Sequence, residues 1–139
     1  LTLLKLLKKN KQGSLKTKGQ NILYECNGQY FSFLKGKYLE YYNNGNIDQI
    51  QIYDEIGSLM YAKKNNRKGQ VQSELIATKI SCTTNDLCEL LSEYDNLSIH
   101  LIQNYYKYSK SLDSIYKSKT VHLVNGKKIK VEKFDKPKD

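Results

Sequence analysis

The chain has 139 residues, enough for one domain with a modest core and too few for two comfortable ones. Its formal net charge is +9, its aromatic residues are 12 Tyr and 3 Phe with no Trp, and its single proline is Pro137. These features exclude a proline-rich linker between domains. They also exclude a membrane-spanning helix, because no run approaches the ~18 apolar residues a span requires.

Tyrosine carries a hydroxyl that needs water or a partner, so a Tyr-rich composition favours half-buried sheet surfaces over a deep core. The charge has two readings. It is the footprint of a protein that meets phosphates, an acidic partner or an anionic membrane, or it is the lysine bias that an AT-rich genome imposes on any surface. Arg67 is the only arginine among 23 basic residues, which argues against base-specific nucleic-acid readout but not against backbone contact.

The chain opens LTLLKLLKKNKQG, without an initiator Met, as a processed or truncated product does. Leu3, Leu4 and Leu7 share one helical face with Leu6 beside it, and Lys5, Lys8, Lys9 and Lys11 lie elsewhere. Residues 1–19 therefore read as a basic amphipathic helical arm and a flexible connector around Gly13 and Gly19. Such an arm docks on the domain, touches a partner or membrane surface, or is the remnant of a targeting sequence.

From Asn21 the period changes to two. Ile22–Cys26 and Gln29–Leu34 flank Asn27-Gly28, a dipeptide suited to a tight hairpin turn. Tyr38–Tyr42, Ile47–Tyr53, a strand marked by Leu59 and Tyr61, and Val71–Ile80 follow, each bounded by glycine turns. The series predicts an antiparallel meander of about six strands over 21–80.

Within it, GKYLEYYNNGNIDQIQIYDEIGSLMY (residues 36–61) resembles one unit of the MORN-variant repeat of bacterial YwqK-like antitoxins, on Gly36, Tyr41, Tyr42, Asn44, Gly45, Ile47, Tyr53 and Gly57. The resemblance implies stacked β-hairpins and a role in protein contact or toxin neutralisation. Gly45, Gly57 and Gly69 stand twelve apart, yet the third phrase, KNNRKG, lacks its tyrosine, and Tyr24–Gly28 echoes the motif out of phase. Two readings stay open: a short degenerate array capped by helices, or an ordinary meander with generic Asn-Gly turns.

After Ile80 the spacing becomes helical. Thr83, Thr84, Asn85 and Asp86 are N-cap residues, with Glu89 three after Asp86. Leu87, Leu90, Leu91 and Tyr94 share a face, and then Leu97, Leu101, Tyr105, Tyr108, Leu112 and Ile115 recur at three- and four-residue steps. One or two helices are expected over 85–117, with Asn96, His100, Gln103, Lys107 and Lys110 on the wet face. Residues 120–134 close the domain as a β-hairpin around Asn125-Gly126, with His122 opposite Ile129 and sharing a face with Val124 and Val131. The expected fold is α+β: an arm and linker over 1–19, a single domain over 20–134 and a charged tail over 135–139.

No chemistry announces itself. Cys26, Cys82 and Cys88 form no CxxC pair and have no histidine at ligand spacing, so no metal site or cofactor is expected. They read as reduced thiols in an intracellular protein, cytoplasmic, viral or organellar, rather than a disulfide-stabilised secreted one; a Cys82–Cys88 bridge has no support. His100 and His122 read as a solvated and a packed histidine. Asp54 and Glu55 adjoin a turn, and Glu89 and Glu93 lie four apart on the expected helix. No P-loop or nucleophile elbow occurs.

The function expected is a non-enzymatic basic component of a larger assembly that contacts a nucleic-acid backbone or an acidic protein partner through Lys63, Lys64, Arg67, Lys68, Lys127, Lys128 and Lys130. The alternatives are a MORN-variant-like β-repeat interaction module and a small metal-dependent nuclease or other hydrolase drawing on groups such as Asp54 and Glu74.

Overall fold

Alternating side chains and glycine-bearing turns dictate antiparallel strands, and ten of them form among the described residues. The structure, a computed structural model, describes residues 2–9, 15–54, 57–81, 86, 88–89 and 98–138. Its strands are β1 (Thr2–Lys9), β2 (Leu15–Cys26), β3 (Gln29–Leu34), β4 (Gly36–Tyr41), β5 (Ile47–Tyr53), β6 (Leu59–Asn65), β7 (Val71–Ser81), β8 (Ser98–Ser109), β9 (Ser114–Val124) and β10 (Lys127–Lys133). All join one sheet in the order β1-β2-β4-β5-β6-β7-β8-β9-β10, with β3 also on β2. Every pairing is antiparallel.

The six-strand meander expected between 21 and 80 is present as β2 to β7. In register terms β3 and β4 are one strand: both pair with β2, through Asn21↔Leu34 and Lys18↔Leu39. The break falls at Gly36, whose φ of +68° lets the chain bulge before it rejoins the ladder.

Turn chemistry follows the glycines. In three successive turns the first residue donates its N–H to the fifth and its carbonyl accepts from the glycine between them. These are Tyr42/Asn46 (2.8 Å) with Gly45 (3.0 Å), Asp54/Ser58 (3.0 Å) with Gly57 (3.3 Å), and Asn66/Gln70 (2.8 Å) with Gly69 (3.0 Å). Asn27-Gly28 and Asn125-Gly126 have positive φ at both positions, which makes them the tight primed turns that suit twisted hairpins.

The α+β expectation is overturned. Residues expected to be helical over 85–117 instead supply β8 and the start of β9, and among the described residues only Cys88 and Glu89 are helical. The N-cap contact does form, with the Glu89 N–H on Asp86 Oδ1 at 3.0 Å. Cys82–Asn85, Leu87, Leu90, Leu91, Glu93, Tyr94, Asn96 and Leu97 lie outside the described residues.

The reason for the error is that β8 is an interior strand with both faces half-buried. Leu101 and Tyr105 point to one face and Ile102 to the other, so apolar residues fall at mixed spacings that imitate a helix. Ile and Tyr in abundance then favour the pleated surface. Lys110–Asp113 forms the intervening turn, with Asp113 at φ +48°.

The helical arm expected over 1–19 is likewise a strand pair, running from Thr2↔Leu23 to Lys9↔Leu15, with Gly19 inside β2. A helix of eight residues is marginal alone, whereas the long edge of β2 offers a ladder to any segment that reaches it. Gly13 lies outside the described residues. The C-terminal hairpin forms as expected but in another register: Ile129 is bulged out, and His122 faces Lys130 while Val121 faces Val131.

Among the described residues the only buried apolar side chains are Ile22, Cys26 and Val121, against six buried polar ones. The chain exposes 9501 Å², whereas a compact monomer of its mass exposes about 7,500 Å². Close packing occurs at isolated points. The Tyr38 ring lies over Gly19, 2.7 Å from where a Cβ would stand, and the side chain of Phe33 lies 2.8 Å from the same point on Gly57. A Cys26–Cys88 disulfide ties the tip of the β2–β3 hairpin to the β7–β8 connection across 62 residues, in place of the free thiols read from the sequence.

Two stability experiments test these features. Gly57→Ala meets both a positive φ and Phe33, and it should lose about 2–3 kcal/mol in urea unfolding. Gly45→Ala has open space around its Cβ and should lose only about 1 kcal/mol. Cys88→Ser removes the cross-link and should lower stability by about 2–4 kcal/mol, an effect that reductant reproduces in the wild type and not in the variant.

Candidate functional site

The site is built from the register of β8 on β9. Tyr105 faces Lys119, Tyr106 faces Lys117 and Lys107 faces Tyr116, so three successive cross-strand pairs each join an aromatic ring to a lysine. The register slips between Tyr105 and Tyr106, leaving Ser118 as the extra residue. The Ser118 hydroxyl donates to the Tyr105 carbonyl at 3.2 Å, which holds the bulge closed.

The end of β10 completes the arrangement. Lys133 faces Lys119, and the Phe134 N–H donates to the Ser118 carbonyl at 2.9 Å. The Lys119 ammonium stands 4.6 Å from the Tyr105 ring centroid, and the Lys117 ammonium 5.9 Å from that of Phe134. An open groove of about 530 Å³ results, with Tyr105, Lys107, Tyr116, Lys119, Lys133 and Phe134 in its lining. Asp135 is the one acidic residue there.

Beside the groove a carboxylate anchors the framework. Glu74 on β7 accepts from the Tyr106 hydroxyl (2.8 Å), the Tyr61 hydroxyl (3.0 Å) and Asn104 Nδ2 (3.2 Å). Asn104 Oδ1 in turn accepts from Thr120 Oγ1 (2.7 Å), so the network spans β6 to β9. Burial alone raises the Glu74 pKa, but the three hydrogen bonds and Lys117 outweigh it and hold the carboxyl below its usual value. Burial and the bond to Glu74 push the Tyr106 phenol up to about 12. Both groups are therefore locked as carboxylate and phenol at neutral pH, which suits positioning and not proton transfer.

The residues expected from the sequence fall in two separate places. Lys63, Lys64, Arg67 and Lys68 surround the β6–β7 turn, whereas Lys127, Lys128 and Lys130 lie on β10. Four strand spacings separate these strands, about 19 Å. The first group is largely absorbed by local structure. Lys64 pairs with Asp48 and lies over the Tyr42 ring. The Arg67 guanidinium lies 5.5 Å from the same ring, and its carbonyl accepts from Asn44 (2.9 Å) and Asn46 (2.8 Å). Lys68 is exposed and gives its backbone N–H to Asn66 Oδ1 at 3.0 Å.

On β10, Lys127 and Lys128 are exposed, and Lys130 stands 3.5 Å from Glu132, which also bonds His122 at 2.8 Å. His122 thus has a carboxylate partner on a neighbouring strand. His100 is half-buried in β8 and its carbonyl accepts from Thr78 Oγ1 at 3.3 Å. Asp54 Oδ1 accepts the Ser58 N–H at 2.8 Å in the β5–β6 turn, and Glu74 sits in the middle of β7, so these two carboxyls serve different elements. Glu55 and Glu93 lie outside the described residues. Among the described residues no three His, Cys, Asp or Glu side chains gather as metal ligands.

Sequence reasoning missed Lys107, Lys119 and Lys133 with their aromatic partners, because a helix through 97–117 takes Tyr105, Lys107 and Tyr116 out of the sheet that brings them to Lys119 and Lys133. The legible signal was the interleaving in YYKY, IYKSK and EKF.

The network has a pH signature. Glu74 binds its proton less tightly folded than unfolded, so its contribution is complete well above pH 4.5 and is lost as pH falls through its lowered folded value. Tyr106 has the opposite limb: the unfolded phenol ionises near 10 and the folded one near 12, so stability falls as pH rises between them. Glu74→Gln should lose about 1–2 kcal/mol at pH 7 and flatten the acid limb of the thermal midpoint against pH.

No protein-family model matches this chain, and no curated protein does. Among solved structures, a DUF3836 family protein from Parabacteroides distasonis aligns over 88% of each chain at 12% identity with a TM-score of 0.22. A likeness that weak carries no argument about fold or function.

Proposed function

We propose that this protein is a non-enzymatic binding component of a larger assembly, and that it engages an acidic protein partner through the groove between β8, β9 and the end of β10. The observation that carries this reading is the groove itself, in which Tyr105, Tyr116 and Phe134 stand with Lys107, Lys119 and Lys133. Lysines held beside aromatic rings present charge at low entropic cost, and the rings supply apolar contact area around each ion pair. A groove of this kind also accepts a nucleic-acid backbone. The single arginine and the Tyr106 hydroxyl tied to Glu74 favour a protein over a nucleic acid. The Cys26–Cys88 bridge points the same way, since it fits an oxidising compartment better than the reducing intracellular setting read from the sequence.

A second reading rests on the turns. Their shared geometry at twelve-residue steps, and the seating of the 42–46 turn on the 66–70 turn through Tyr42, Asn44 and Asn46, favour a MORN-variant-like β-repeat scaffold for protein contact. Both readings place a protein against the sheet.

Titration with poly-L-glutamate and, separately, with single-stranded RNA at increasing salt tests the proposal. Poly-L-glutamate should bind in a salt-dependent way and should bind about five-fold or more weakly to the Lys119→Gln, Lys133→Gln variant, while Lys68→Gln changes little. Tighter binding of RNA than of poly-L-glutamate at physiological salt replaces the protein partner with a nucleic acid. Failure of both polymers to bind at low salt overturns the reading.

A further inference from the structure

We propose that the outer edge of β10 takes up an extended acidic segment of the partner as an additional strand; this rests on the acidic-partner reading above and states how that partner is gripped. β10 is the last strand of the sheet and, among the described residues, pairs only with β9. Because the Phe134 N–H bonds the Ser118 carbonyl, antiparallel alternation turns the N–H and C=O of Val131 and Lys133 to the outer side. Those groups form a ready template for another chain.

The side chains determine which chain. Lys127, Lys128, Lys130 and Lys133 are all exposed, and the one acid on the strand, Glu132, is engaged by His122 and Lys130. A second copy of this edge would set lysine against lysine and is repelled. A strand bearing Asp or Glu is attracted at the same positions. Val131, 47% exposed, supplies an apolar cross-strand contact. The bulge at Ile129 leaves Lys130–Lys133 as the regular stretch, and Lys133 also lines the groove, so an added strand runs directly into it. The lysines therefore act as a selectivity filter on the edge, closed to self-association and open to an acidic strand.

The test uses the full oxidised chain and a fluorescent octapeptide of alternating Glu and Val, with polyphosphate as a polyanion that cannot form a strand. Val131→Pro removes one outward N–H and no bond to β9. The peptide should bind the wild type and lose ten-fold or more affinity for Val131→Pro, while the thermal midpoint and polyphosphate affinity stay unchanged. Should that variant unfold, a peptide N-methylated on alternate amides makes the same test on the wild type and should bind ten-fold or more weakly. Equal affinity of the peptide for wild type and Val131→Pro, or of the plain and N-methylated peptides for wild type, overturns strand addition. If polyphosphate still binds in that case, the basic-groove reading stands by itself. If neither polyphosphate nor peptide binds, both are overturned.

Discussion

Consecutive strands of this sheet pair with one another, save β3 and β4, which share β2, and most of these pairings depend on the chain reversing direction within a few residues. Reversal at that length needs backbone at positive φ, which Asn27-Gly28, Gly45, Gly57, Gly69 and Asn125-Gly126 provide. The ladder hydrogen bonds follow once the turns are set. Each interface is local, as in repeat proteins, so cohesion is a chain of nearest-neighbour contacts and not one shared core.

With so few buried apolar side chains among the described residues, the sheet draws on polar connections across strands. Glu74 links β6, β7 and β8, Asn104 and Thr120 extend the link to β9, and Tyr42 ties the 42–46 turn to the end of β6 by donating to the Asn65 carbonyl. Tyrosine suits this design because its ring covers a neighbour while its hydroxyl bonds one. The same chemistry makes the groove, where Tyr105, Tyr116 and Phe134 meet lysines.

The turns were legible in the sequence, and so were the six strands of 21–80 and the closing hairpin, because Asn-Gly and glycine spacing report local backbone chemistry directly. β1 and β8 were not. Leu3, Leu4 and Leu7 satisfy a helical face as well as a strand, and the strand wins through the edge of β2, whose paired residues Ile22, Asn21 and Lys18 are remote from them in sequence. In β8 the two half-buried faces erase the alternation that identifies a strand. The site was missed for a related reason: Tyr105 and Lys119 are fourteen residues apart and meet only through strand pairing. Lys64 and Arg67 were singled out on charge density, but density does not report that Asp48 and the Tyr42 ring already engage Lys64, and that ring Arg67.

The Cys26–Cys88 bridge divides the molecule in a way the continuous sheet conceals. It closes a covalent ring that contains β3 to β7, while β8, β9, β10 and the groove lie outside it. Fraying from the C-terminal end can strip these last strands one by one and must then stop at a closed loop. The chain therefore has a fastened part and a peelable part, and the proposed partner would meet the second. A bound strand on β10 would act as a clasp on the peelable part, so occupancy and local order there rise together.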